Sequence, residues 1–220
     1  VLRLALSSAA LLLAPLAAHA QQTDEQLWLQ ANGTTSLGGG TKLTLESIAR
    51  LGNAADGLAH TEFGGQISHK LSPAIEISGG YRHVQDYDHD RAVPNEERLR
   101  QVIVINMGGG FATRLRLEER FTSAGPAVAV RIRPRLGYTA PLNDKGLSLF
   151  ATHEAFINLN STDWGVAGGY ERMRHTLGLT IPLTSHLKAD AGYLNEYRFG
   201  RSGRRDQMMH AATLTLNIEL

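Results

Sequence analysis

The chain has 220 residues, with 22 basic and 21 acidic side chains and a formal net charge of +1. That balance argues against a nucleic-acid partner, which would call for a basic excess. There is no cysteine, so disulfide and thiolate-metal frameworks are excluded, and no cofactor is expected.

At the start of the chain, Arg3 precedes an apolar stretch that closes with Ala18-His19-Ala20. This is the pattern of a secretory signal peptide with an A-x-A cleavage site. Its apolar core, 9–18, contains Pro15 and is too short to span a membrane as a helix. Residues 21–220 are then expected to form one domain. Beyond residue 21 there is almost no helical periodicity and no run of 18 apolar residues, so helical spans are not expected.

What recurs instead is a two-residue period. Candidate strands fall at 27–35, 39–51, 59–71, 74–86, 97–108, 110–122, 127–140, 146–158, 167–181, 186–199 and 207–220. Most reach the roughly 9–11 residues that a tilted membrane strand needs. Tight connectors at 36–38, 71–73, 108–110, 141–145 and 182–185 alternate with longer or intermediate ones at 52–58, 87–96, 122–126, 158–166 and 200–206. Short turns on one side and long loops on the other are the asymmetry of a bacterial outer-membrane barrel. Eleven candidates conflict with the even strand count usual there. The segment 27–35 alternates poorly and holds Asn32-Gly33. The expectation is therefore an all-β, antiparallel, up-and-down transmembrane barrel of about ten strands, with 27–35 as an extra edge or lying inside. A barrel of twelve is the alternative.

The two faces of these strands differ sharply. Leu115, Leu117 and Phe121 share a face, opposite Arg114, Arg116, Glu118 and Arg120. Val128, Val130, Ile132, Leu136 and Tyr138 oppose Arg131, Arg133 and Arg135. An Arg facing lipid near mid-membrane costs on the order of 2–4 kcal/mol, so the charged face must look inward. The same phase places Lys42, Glu46 and Arg50, Glu76 and Arg82, Glu154, Arg172 and Arg174, Lys188 and Asp190, Glu196 and Arg198, and Glu219 inside. Tyr81, Tyr138, Tyr193, Tyr197 and Phe199 fall on outer faces toward strand ends, where aromatic girdles belong. Basic residues are mostly Arg, whose planar fork can serve several acceptors at once. A charge network of Arg114, Arg116, Glu118, Arg120, Arg131, Arg133, Arg135, Glu154, Arg172, Arg174, Glu196 and Arg198 is expected in the lumen. The favoured reading is a structural ion-pair network. A porin-like, anion-preferring pore is the alternative.

Three segments run together in a recognisable way. They are Arg116-Leu117-Glu118-Glu119-Arg120-Phe121, Arg131-Ile132-Arg133-Pro134-Arg135-Leu136-Gly137-Tyr138 and Glu154-Ala155-Phe156-Ile157-Asn158. An Arg172-x-Arg174 strand, a Gly192-Tyr193 strand and an amphipathic terminal strand follow. The set resembles the bacterial family called domain of unknown function 2490, over essentially the whole of 21–220. The resemblance implies an outer-membrane barrel and no particular activity.

Other motifs weigh less. His153 and His175 fall on the outer face, and no G-x-S-x-G elbow occurs, so no enzyme is expected; a lipid-modifying hydrolase is the minor alternative. Asp86, Asp88, His89, Asp90, Glu96 and Glu97 read as a solvated acidic loop without the glycine of a calcium loop, and no metal site is expected. Gly38-Gly39-Gly40 and Gly108-Gly109-Gly110 read as hairpin turns. The sequence thus points to the outer membrane of a Gram-negative cell, reached through the periplasm. The expected partners are outer-membrane lipid, lipopolysaccharide and the barrel-assembly machinery.

Overall fold

The structure is a computed structural model that describes residues 22–89, 91–201 and 204–220. The leader assigned to residues 1–20 lies outside them, as does Asp90. Among the described residues no helix forms. The chain folds into strands β1 (Gln22–Gly38), β2 (Thr41–Gly52), β3 (Gly57–Lys70), β4 (Ile75–Asp88), β5 (Arg91–Ala92), β6 (Glu96–Gly108), β7 (Phe111–Thr122), β8 (Gly125–Pro141), β9 (Ser148–Asn158), β10 (Gly169–Pro182), β11 (Leu187–Arg198) and β12 (Gln207–Glu219). All except β5 pair in chain order around one sheet, which closes on itself. β5 only extends the hairpin beyond β4, where Tyr87 faces Ala92 and Asp88 faces Arg91.

The barrel therefore has eleven strands, not ten or twelve. The segment expected as an extra edge is a full barrel strand, β1. Consecutive strands are antiparallel, so an odd count must close through one parallel pair. That pair is β1 with β12, running from Gln22 opposite Gln207 to Thr34 opposite Glu219. Closure leaves no unpaired sheet edge, which is the requirement that outweighs the usual parity. The residue that made β1 look weak secures the seam. Asn32 accepts from Gln30 at 2.8 Å and donates to Asn217 at 2.8 Å. Asn217 donates in turn to Asp190 at 2.9 Å. Polar alternation was hard to see in β1 because its inner face carries amides rather than charges.

Turn lengths segregate only in part: 89–95, 159–168 and 199–206 are the long connections, whereas the connector expected at 122–126 is the short turn 123–124, shorter than 142–147 at the other end. The connections after β1, β3, β6, β8 and β10 lie at one end, and those after β2, β4, β7, β9 and β11 at the other. Both glycine triplets are tight turns in which all three residues have positive φ, between 57° and 87°, a region open to glycine without steric cost. Pro134 sits mid-strand in β8, where it cannot donate to a ladder. The β8–β9 ladder lapses there, between Ile132 opposite Ile157 and Arg135 opposite Glu154.

The parallel seam makes a direct test possible, because the chain has no cysteine. Leu29 lies directly opposite Leu214, within the Cα separation that a disulfide spans. A Leu29→Cys/Leu214→Cys variant is expected to form an internal disulfide on oxidation, read as a mobility change in non-reducing gels after unfolding. A ten-strand barrel closed by β2 and β12 would give no cross-link.

Candidate functional site

A central cavity of about 790 Å³ is lined by residues from all eleven barrel strands, including Trp28, Glu46, Glu62, Arg82, Arg98, Arg114, Arg133, Glu154, Arg174, Asp190 and Thr215. It is built by alternation. Charged side chains of successive strands point to the axis while their sequence neighbours point outward.

Among the described residues the charges join into two ion-paired networks, one on Glu46, Glu62 and Glu96 and one on Glu118, Glu154, Glu171 and Glu196, which meet at the ring of Trp28. In the β2–β6 sector, Glu62 accepts from Arg50 at 2.8 Å, from His60 at 2.7 Å and from Arg82. Arg82 also reaches Glu46 at 2.6 Å, which Arg100 joins. In the β7–β9 sector, Glu118 accepts from Arg131 at 2.5 and 3.0 Å and from Arg133 at 2.7 Å. Arg116 touches Glu118 at 3.4 Å. Glu154 accepts from Arg133 at 2.9 and 3.2 Å and from Arg114. In the β10–β11 sector, Glu196 accepts from Arg174 at 2.5 and 3.1 Å and from Arg172 at 2.9 Å, with Arg198 at 4.0 Å. Arg120 forks onto Glu96 at 2.6 and 2.8 Å, joining β7 to β6.

Two aromatic rings sit among the guanidinium groups. Phe156 is 1% exposed and lies 4.2 Å from Arg133, 4.8 Å from Arg172, 4.9 Å from Arg174 and 5.3 Å from Arg131. Trp28 lies 3.8 Å from Arg50 and 4.7 Å from Arg174. Such contacts gain strength when desolvated. They also let rings fill space between like charges that could not otherwise share a small volume.

Every residue of the expected charge network faces this interior system, and eleven of the twelve make carboxylate–guanidinium contacts within 4.0 Å. Arg135 is different. It lines the cavity with no ion pair among the described residues. Several members were not anticipated. Arg98 and Arg100 lie on β6, where 96–98 are charged on both faces and 102–105 apolar on both, so alternation does not show their phase. Glu62 was legible from its period with His60 and Gln66. Glu171 was not, since strict alternation sends it outward. A bulge between Tyr170 and Arg172 turns Glu171 and Arg172 inward together, where Glu171 meets Arg172 at 3.2 Å and Arg131 at 3.4 Å.

The presumed acidic loop is corrected in part. Asp86 lies in β4 and pairs with His60. Glu96 and Glu97 open β6; Glu96 holds Arg98 and Arg120, and Glu97 faces outward to His83 at 2.8 Å and to Tyr81. Strand pairing, which the local run of acids conceals, decides this. Asp88 and His89 bond each other at 2.8 Å. Among the described residues no group of three metal-ligating side chains converges. On the outer face His153 and His175 are hydrogen-bonded to each other at 2.9 Å.

Removing one partner of a buried ion pair leaves a charge uncompensated and costs about 3–5 kcal/mol. Glu154→Gln, which strands Arg114 and leaves Arg133 to Glu118 alone, is expected to lower unfolding stability by about that amount. Asp144→Asn, in an exposed turn, should change it by less than about 0.5 kcal/mol. Denaturant unfolding in detergent, followed by tryptophan fluorescence, measures both; equal losses would show that the network does not hold the fold.

Comparison with known proteins adds a family. The chain is 32% identical over 203 residues to an uncharacterized protein of Methylorubrum extorquens, a match covering 88% of each chain. A family model described as "Protein of unknown function (DUF2490)" matches residues 25–208. That span takes in most of the barrel, from early in β1 to the start of β12, and on it the chain belongs to this family.

Proposed function

We propose that the protein is an integral barrel of the bacterial outer membrane, with a lumen braced by Arg–Glu pairs. Its role there is structural or surface-exposed rather than catalytic. One observation carries this reading: the outside of the barrel is apolar. Leu45, Phe63, Ile67, Leu99, Leu115, Leu136, Leu177 and Tyr193 are all exposed, Phe63 to 63%. They lie on strands all around the sheet. Water-soluble monomers rarely expose contiguous apolar patches beyond a few hundred Å², whereas a lipid-facing band is what a membrane barrel needs. The inverted arrangement, charge within and oil without, supports the same environment. In this reading the long loops face outward toward lipopolysaccharide and the short turns face the periplasm. Outer-membrane lipid surrounds the strands, and the assembly machinery inserts them.

A second reading, an anion-preferring passage, is favoured by the reach of the cavity. Its lining runs from Asp86 and Glu96 near the long-loop end to Thr139 and Thr180 near the short-turn end. Planar-bilayer recording separates the two, since a braced structural barrel should carry no resolved unit current.

Placing a charge on the outer band tests the membrane assignment itself. Leu115→Arg should destabilise the bilayer-inserted protein by about 2–4 kcal/mol and reduce its recovery in the outer-membrane fraction. Recovery of the unaltered protein from the periplasm without detergent would overturn the proposal.

A further inference from the structure

The lumen is not uniform along its length. On most strands the inward charges lie in the half nearer the long loops. The other half is lined mainly by neutral side chains, among them Ser78, Thr139, Thr152, Thr176, Thr213 and Thr215, with Glu76 and Asp190 near its rim. Where the two halves meet, on β7 and β8, positive charge is concentrated beyond what the carboxylates can answer. Arg114 lies directly opposite Arg135, and Arg116 directly opposite Arg133. Like charges facing each other across a strand pair are destabilising. The carboxylates that these arginines touch are already shared. Glu154 faces Arg135 in register, yet its oxygens are taken by Arg114 and Arg133. Glu118 serves Arg131 and Arg133 and only grazes Arg116. The Nε atoms of Arg114 and Arg116 are buried with no hydrogen-bond partner.

Arg114, Arg116 and Arg135 all line the cavity. A buried donor without an acceptor is costly, and unbalanced buried charge more so. A guanidinium fork is suited to the two oxygens of a carboxylate or phosphate. The neighbouring threonine hydroxyls can both donate and accept, which suits a polar, hydroxyl-bearing body. We propose that this arginine shelf is a binding site for a small oxyanion-headed solute, a carboxylate or a phosphate monoester. The solute enters from the short-turn end and is held by Arg135 with Arg114 and Arg116. The proposal rests on the closed barrel and its charge distribution, and it holds whether or not the barrel lies in a membrane.

Arg135 gives the cleanest test, because its removal strands no carboxylate. The protein, refolded in zwitterionic detergent at low ionic strength, is titrated calorimetrically with inorganic phosphate and, separately, with succinate. Saturable binding of at least one is expected, and which of them binds assigns the headgroup. Arg135→Gln should weaken it about tenfold, the order expected for losing a charge-assisted hydrogen bond, with folded mobility in unheated gels unchanged. Arg91→Gln, on the exposed hairpin β5, should bind as the unaltered protein does. Arg135→Lys keeps the charge, loses the fork and should fall between; it carries the test if Arg135→Gln does not fold. No saturable heat with either anion, undiminished affinity in both Arg135 variants, or an equal loss in Arg91→Gln would overturn the site.

Discussion

A guanidinium removed from water costs several kcal/mol unless a carboxylate meets it, and the interior of this barrel is arranged around that requirement. Arg131 and Glu118 are each 1% exposed, and neither could be there without the other. Glu46, Glu62, Glu96, Glu118, Glu154, Glu171 and Glu196 are each shared among two or more arginines drawn from different strands. Glu118 ties β7 to β8, Glu154 ties β7, β8 and β10 to β9, and Glu196 ties β10 to β11. The pairs therefore act across the ladder as well as filling the lumen. Their geometry depends on strand register, because a slip of one residue would send every charge to the outer face.

Closure is the second constraint. An open sheet would leave one edge of unpaired backbone groups on each side, and in a lipid environment such groups have no partner at all. The chain meets this by joining its first strand to its last in parallel. The price is a slightly less stable ladder along one seam, offset by the hydrogen-bonded series from Gln30 through Asn32 and Asn217 to Asp190. An odd count also places the first residues of β1 beside the first residues of β12, at the long-loop end, and the last residue of the chain at the other.

The family resemblance gains physical content from the same geometry. Arg116, Glu118 and Arg120, then Arg131, Arg133 and Arg135, then Glu154 and Phe156 are residues that carry the resemblance in the sequence. In the folded chain they occupy adjacent strands of one sector, and Arg116, Glu118, Arg131, Arg133 and Glu154 meet in one cluster, with Phe156 against Arg131 and Arg133. Their spacing in the sequence reflects a shared interior site rather than local structure.

Alternation alone determined the all-β class, most strand positions and which charges share a face on the cleanly alternating strands. It could do so because the side-chain period of a strand is a local property, readable wherever polar and apolar residues alternate cleanly. Tertiary structure decided the rest. The strand count turned on whether β1 finds a partner 185 residues away at Asn217, and no local pattern contains that partner. The inward turn of Glu171 comes from a bulge that breaks the very period used to read the sequence. Which arginine each glutamate serves, and which arginine is left over, depends on neighbours set by register and closure. Those pairings are long-range, and they exist only once the cylinder has closed.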